Sequence, residues 1–182
     1  SNNLNRALKT SFIDMKFLSD DTYQTKFILN NQEKETKILS YLNNRIEKCK
    51  NFWISAAFLT MSGVSCLRTK FDIFGEYKNK KGRIYVSDYQ YFTQPKALKK
   101  ITEFKNIETR LYTDKKYHGK GYMFEFEDYY DILIGSANLT SNALSINDEL
   151  NIHFRASKNS LIVKNFKDIF NKNFNSSVIL NE

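Results

Sequence analysis

Two runs, Y117-H-G-K-G-Y-M-F-E-F126 and Y129-Y-D-I-L-I-G-S-A-N138, decide how this chain is read. Each is apolar and of strand length, and the polar residues between them predict a hairpin joining strands over 117–126 and 130–136. Polar groups cluster at the ends: His118 and Lys120 open the first run, Gly135, Ser136 and Asn138 close the second, and Glu149 follows. A strand has a side-chain period of two, which sets His118, Lys120 and Tyr122 on one face and Gly119 and Gly121 on the other. The same rule predicts a shared face for Ile134, Ser136 and Asn138. An imidazole beside an ammonium can attack phosphorus while the ammonium holds the non-bridging oxygens, and the two glycines leave room for close approach. The Ser136 hydroxyl, the Asn138 amide or the N–H groups of the turn can donate to phosphate oxygens. A strand over 149–154 gives Glu149 the parity of Asn151 and His153, and a carboxylate near His118 would fix its tautomer. Singly these features are commonplace: H-x-K is usually surface decoration, G-S-x-N usually a turn, and His153 reads as structural or surface. Their joint occurrence points to phosphoryl transfer without a metal.

Outward from this unit the pattern alternates. Residues 1–31 form an arm with a short strand around 23–29. Ile38, Leu39, Leu42 and Ile46 recur at helical spacing and predict a helix over 32–50, with Asn31 as its N-cap. F52-W-I-S-A-A-F58 reads as a buried strand, a helix opens at Ser62-Gly63 and runs to Phe71, and R83-I-Y-V-S87 is a strand. Pro95, the sole proline, stands where a helix over 96–104 would begin. A strand over 107–112, a helical turn over 139–144 and a closing helix over 157–174 complete an α/β plan, a mixed sheet covered on both faces.

The 182 residues suit one domain with a single core, over 1–182, and 15 Phe and 11 Tyr help to fill it. With 28 Lys+Arg against 20 Asp+Glu the formal charge is +8, which favours a polyanionic partner, nucleic acid before anionic membrane. Lysine- and asparagine-rich composition also follows from AT-rich coding, so charge alone leaves the partner open. Lys115, Lys116 and Arg83 are candidate phosphate-backbone contacts. No apolar run reaches the ~20 residues that span a bilayer. Cys49 and Cys66 form no C-x-x-C pair, which argues against zinc and fits a reducing cytoplasm. The abrupt start and finish fit a piece of a longer polypeptide.

At H118-G-K120 and G135-S136-A-N138 the chain resembles the phospholipase D superfamily, whose signature is H-x-K, a variable gap, then G-S/G-x-N. The aspartate usual five residues after the lysine is replaced by Glu125. Single-motif bacterial endonucleases of the superfamily carry a glutamate thirteen residues past the motif serine, which here is Glu149. S11-F-I-D14, F52-W-I-S-A-A-F-L-T-M-S-G63 and K81-G-R-I-Y-V-S-D-Y-Q-Y-F-T-Q-P-K96 look like the phospholipase D-like domain at the N-terminus of certain bacterial superfamily 2 helicases, itself similar to a family of restriction endonucleases.

The resemblance implies a phospholipase D-like fold and a metal-independent nuclease acting on DNA through a phosphohistidine at His118. Lys120 would stabilise phosphoryl charge, Ser136 and Asn138 would cradle the oxygens, and Glu149 would orient His118. Superfamily sites use two motifs and this chain holds one, so a homodimer with a composite site is expected, with a helicase domain following Glu182. A non-catalytic DNA-binding or dimerisation module and a lipid phosphodiesterase are the competing readings.

Overall fold

A computed structural model describes residues 24–113 and 116–180 of the chain. The S11-F-I-D14 stretch, Tyr23 and Lys115 therefore lie outside the described residues. Within them the strands are β1 (Lys26–Ile28), β2 (Asn51–Ala56), β3 (Lys81–Ser87), β4 (Ile107–Tyr112), β5 (Gly121–Glu125), β6 (Tyr129–Gly135), β7 (Asn151–Ser157) and β8 (Val178–Ile179). The helices are α1 (Ile38–Lys48), α2 (Met61–Gly75), α3 (Pro95–Ile101), α4 (Ser141–Ser145) and α5 (Leu161–Ser176). The strands make one mixed sheet in the order β1-β7-β6-β5-β2-β3-β4-β8. β2, β3 and β4 run parallel to one another, and the other neighbours are antiparallel.

The two faces follow from the strand period. Phe52, Ile54, Ile84, Val86, Tyr122, Phe124 and Leu133 point to one side and join Ile38, Leu42, Ile46, Val64, Leu67, Ala97 and Leu144 of α1–α4 in the main core. Their alternates, Trp53, Tyr85, Met123, Tyr130 and Ile132, point to the other side and pack in two smaller clusters with Val163, Phe170 and Phe174 of α5. Helices thus cover both faces, as the α/β reading requires.

Several boundaries depart from expectation, each for a local reason. α1 begins at Ile38, because Asn31 forms a β-bridge with Thr36 and accepts from Lys34 N rather than capping a helix. Asn30 braces the start instead: its side-chain oxygen accepts from Ile38 N at 3.0 Å. α2 begins one residue earlier than expected and runs to Gly75, capped by the Thr60 side chain, which accepts from Gly63 N. β5 begins at Gly121, so His118 and Lys120 precede the strand, and β7 begins at Asn151, so Glu149 precedes it as well. The closing helix starts at Leu161 rather than 157 because β7 continues to Ser157.

One buried charge anchors the β6–β7 half of the sheet to α1. Asp131 is fully buried. Arg155 Nε donates to its Oδ1 at 2.8 Å, Arg45 Nε lies 2.7 Å from Oδ2, and His153 Nε2 lies 3.3 Å from Oδ1. Burial pushes the Asp131 pKa upward, but the contacts of His153 and Arg155 and the charge of Arg45 outweigh it and pull the value down to about 2. His153 is thus structural.

Because the folded-state pKa is depressed below the ordinary ~3.9, Asp131 contributes stability that is complete above that value and is lost as pH falls toward the folded-state pKa. Asp131→Asn leaves two arginines without their counter-charge and should cost about 3–5 kcal/mol. Urea denaturation of both proteins from neutral to acid pH should show the difference shrinking through this window; a difference unaffected by pH would contradict the assignment.

Candidate active site

The end of β6 meets the start of β7 with almost no space between them. A Cβ on Gly135 would lie 2.3 Å from Leu150 O and 2.5 Å from Asn151 Cα, so only glycine lets the two backbones close. Ser136 N donates to Leu150 O at 3.1 Å, and Leu150 N donates to Ser136 Oγ at 3.0 Å. Ser136 Oγ in turn donates to the Glu149 carboxylate. Asn151, fully buried, accepts from Ala137 N through Oδ1 and donates to Ile28 O through Nδ2, each at 3.2 Å. The G-S turn is a clamped object before any ligand arrives.

His118 and Lys120 approach this turn from the extended segment that leads into β5. Gly135 N lies 3.5 Å from Lys120 O, which sets the two segments side by side. The Lys120 ammonium donates to His118 O at 2.7 Å and sits 2.9 Å from Nδ1 and 3.3 Å from Nε2 of the same residue. The His118 ring is exposed, and the edges of Phe58 and Tyr89 face it at centroid distances of 5.3 and 5.8 Å. Lys120 is buried. Burial lowers its pKa, and the negative charge of Glu149 opposes that shift.

Of the five residues singled out from sequence, His118, Lys120 and Ser136 line one cleft of about 680 Å³, with Ile134, Leu150, Phe166 and Ile169 among its apolar walls. Glu149 stands behind Ser136, and its hydrogen bond goes to that hydroxyl rather than to His118. The groups that hold the His118 ring are Lys120, Phe58 and Tyr89, so Glu149 acts on Ser136 and Lys120 instead. Asn138 does not share the face of Ile134 and Ser136. Its side-chain oxygen accepts from Ala57 N at 3.1 Å and Phe58 N at 3.0 Å, fixing the loop that carries Phe58 toward His118. Gly121 opens space for a side chain: a Cβ there would sit 3.1 Å from the Phe166 ring.

Glu125 lies at the far end of β5, where it accepts from Asn51 Nδ2 at 2.8 Å. Arg83 packs over Phe174 and lines a separate groove with Lys78, Lys80 and Lys81. Lys116 is exposed. Among the described residues no group of three or more His, Cys, Asp or Glu is placed to hold a metal ion. No described helix is long and apolar enough to cross a membrane. Asn151, Phe58 and Tyr89 were not legible as site residues. Asn151 alone had a signal, a polar residue at an inward position of a strand.

Beside the cleft, β1, β7 and β6 carry an apolar row left exposed among the described residues. Phe27 pairs with Ile152 and Ile152 with Ile134 in register, and the three are 64%, 36% and 40% exposed. Leu150 and Ile169, also exposed, continue it to the cleft wall.

No protein-family model and no curated protein sequence matches the chain. Solved structures do. NucT from Helicobacter pylori superposes with a TM-score of 0.65 at 15% identity, over 87% of this chain and 99% of that one. Nuc from Salmonella typhimurium, a phospholipase D family member, gives 0.64 at 13% identity, over 87% and 100%. Phosphatidylserine synthase from Haemophilus influenzae gives 0.64 at 16% identity, over 86% of this chain and 40% of that chain. The chain therefore has the phospholipase D-like fold, spanning the whole length of the two smaller structures.

The electrostatics around Lys120 predict a pH signature. If the ammonium form is the working form, the alkaline limb of any activity falls below the ordinary lysine range, since burial has lowered the pKa. Glu149→Gln removes the charge that holds that pKa up, so the limb should move further toward neutral. A limb that stays in place in Glu149→Gln, in a full pH–rate profile, would rule out this coupling.

Proposed function

We propose that this chain is a phosphodiesterase that cleaves nucleic acid, DNA first, with His118 as the nucleophile. One observation carries the reading: an exposed imidazole and a buried ammonium converge at 2.9 Å in an open cleft that the clamped Ser136 turn also lines. Lys120 is placed to hold the non-bridging oxygens, where its charge counts more than on the surface because it is desolvated. Ser136, whose hydroxyl donates to Glu149 and accepts from Leu150 N, fixes the turn beside the ammonium. The formal charge of +8 suits a polyanion.

The chemistry follows from these groups. A ring nitrogen of His118 attacks phosphorus, forming a P–N bond as the P–O bond to the leaving group breaks. A second histidine protonates the leaving oxygen, then takes a proton from water, whose oxygen attacks phosphorus and expels His118. No metal is assigned a part. His153, the other histidine of these 182 residues, is committed to Asp131, and we assign the second role to the His118 of another copy. The row Phe27–Ile152–Ile134, running up to the cleft, supplies a surface on which two copies could meet about a two-fold axis with both clefts facing. The sequence resemblance supports a parent of the helicase or restriction type, in which this domain would either cut DNA or hold it.

A phospholipid is the second reading, favoured by the apolar walls Ile134, Leu150, Phe166 and Ile169. Incubation with plasmid DNA and with phospholipid vesicles, each with EDTA, separates the two. Cleavage of DNA that survives EDTA and falls by at least about 10³-fold in His118→Ala is the expected result. Cleavage that persists in His118→Ala, or that EDTA abolishes, would overturn it. Ile152→Glu places a charge in the apolar row and should convert the dimer to a monomer in sedimentation, with activity lost in parallel. A fully active monomer would refute the composite site.

A further inference from the structure

We propose that the Tyr89–Phe92 turn is a stacking platform for unpaired nucleobases, so that the site takes its phosphodiester from a single strand; this rests on the nucleic-acid reading above. The turn presents aromatic surface where burial would be the ordinary outcome. Tyr91 is 93% exposed and Phe92 59%. Its backbone is strained: Gln90 and Tyr91, adjacent and neither a glycine, have φ of 56° and 59°. Two bulky left-handed residues in sequence persist only where the surroundings over-determine them, and such sites concentrate at ligand clamps.

The surroundings are a rigid frame. Tyr89 N donates to Ser87 Oγ at 3.0 Å and Tyr91 N to Asp88 O at 2.9 Å. Thr93 Oγ1 donates to Ser87 O at 2.6 Å, and Leu59 N lies 3.3 Å from the same Thr93 oxygen. Ser87 and Thr93 are buried, so both ends of the turn are tied to the sheet while its middle projects into solvent. A turn whose backbone is fixed this way has little main-chain entropy left to lose on binding.

The turn is continuous with the reacting group. Phe92 packs on Phe58 at 5.1 Å, Phe58 on His118 at 5.3 Å, and Tyr89 on the same imidazole at 5.8 Å. From Phe58 and Phe92 a groove of about 610 Å³ runs past Thr60, Ser62, Ser141 and Asn142, and none of its lining residues is a carboxylate. Hydroxyls and amides suit sugar and phosphate oxygens, while exposed rings suit base faces. In a duplex those faces are already stacked on one another; in a single strand they are free to take a protein ring.

The test uses His118→Ala protein, so that binding is read without turnover, and a short fluorescent oligodeoxynucleotide in three forms: single-stranded, blunt duplex and single-stranded abasic. Fluorescence anisotropy should give tighter binding of the base-bearing single strand than of the other two. Adding Tyr91→Ala should weaken that affinity by about 5- to 150-fold, the worth of one stacked base, and leave the duplex and abasic forms unchanged. Tyr91→Trp should restore it. Tyr91 is outside the core, so its removal leaves the fold standing. Equal affinity for the three forms, or no effect of Tyr91→Ala, overturns the platform even if the wild-type protein cleaves DNA. Selective single-strand binding that depends on Tyr91, in a wild-type protein that cleaves no nucleic acid, keeps the platform and removes the catalytic reading. Absence of binding to every form removes both.

Discussion

The structure turns on a place where two backbones touch. Gly135, at the end of β6, lies against Leu150 and Asn151 so closely that no side chain fits between them. Because they touch, Ser136 can exchange hydrogen bonds with residue 150 through both its amide and its hydroxyl, and Glu149 is carried behind that hydroxyl. Asn151, buried at the junction, ties the turn to β1 through Ile28. A loop that would otherwise explore many conformations is thereby reduced to one wall of a cleft, and the order is in place before a substrate binds.

The neighbouring His118–Lys120 segment is held by different means. His118 and Lys120 lie in an extended segment that precedes β5 and is joined to β6 by the Gly135 N–Lys120 O contact, and their side-chain geometry comes from the lysine folding back onto the His118 carbonyl and ring. Phe58 and Tyr89 complete the support of the imidazole, and Asn138 supports Phe58 by binding its backbone. The sheet delivers these pieces to one end of β2 and β5, and the Asp131 cluster fastens the β6–β7 half to α1 beneath them. A free-energy cost follows: an ammonium is held out of water beside a base, a local conflict that makes sense if an anion is to be bound there.

Much of the fold was legible because its strands alternate cleanly. β4 was read at its full extent, and the two faces of β2, β3 and β5 follow from a period of two. The motif residues His118, Lys120 and Ser136 were legible from type and spacing, and they do line one cleft. What failed depended on contacts distant in sequence. The strand period does not reach His118 or Glu149, which lie outside the β5 and β7 spans, so parity could not show that within one copy Glu149 bonds Ser136. The part Asn138 plays through its oxygen, which accepts from the backbone at 57–58, was not legible from spacing, and it leaves the amide N–H groups as the donors the motif would offer. The true start of α1 was hidden because Asn30 serves it from eight residues away. Asp131 did leave a trace, a lone acid inside an apolar strand, with Arg155 and His153 at matching parity on another.

The central claim is that His118 becomes covalently bonded to phosphorus. Acid would hydrolyse such a P–N bond and alkali would preserve it, so wild-type protein mixed with an oligonucleotide whose internal phosphates carry the label and quenched in alkali should retain label whichever fragment leaves, mapped by mass spectrometry to a His118 peptide. A composite site with one nucleophile and one acid predicts at most one adduct per two chains, and none in His118→Ala. Turnover with no alkali-stable adduct, or an adduct on any other residue, would contradict the account.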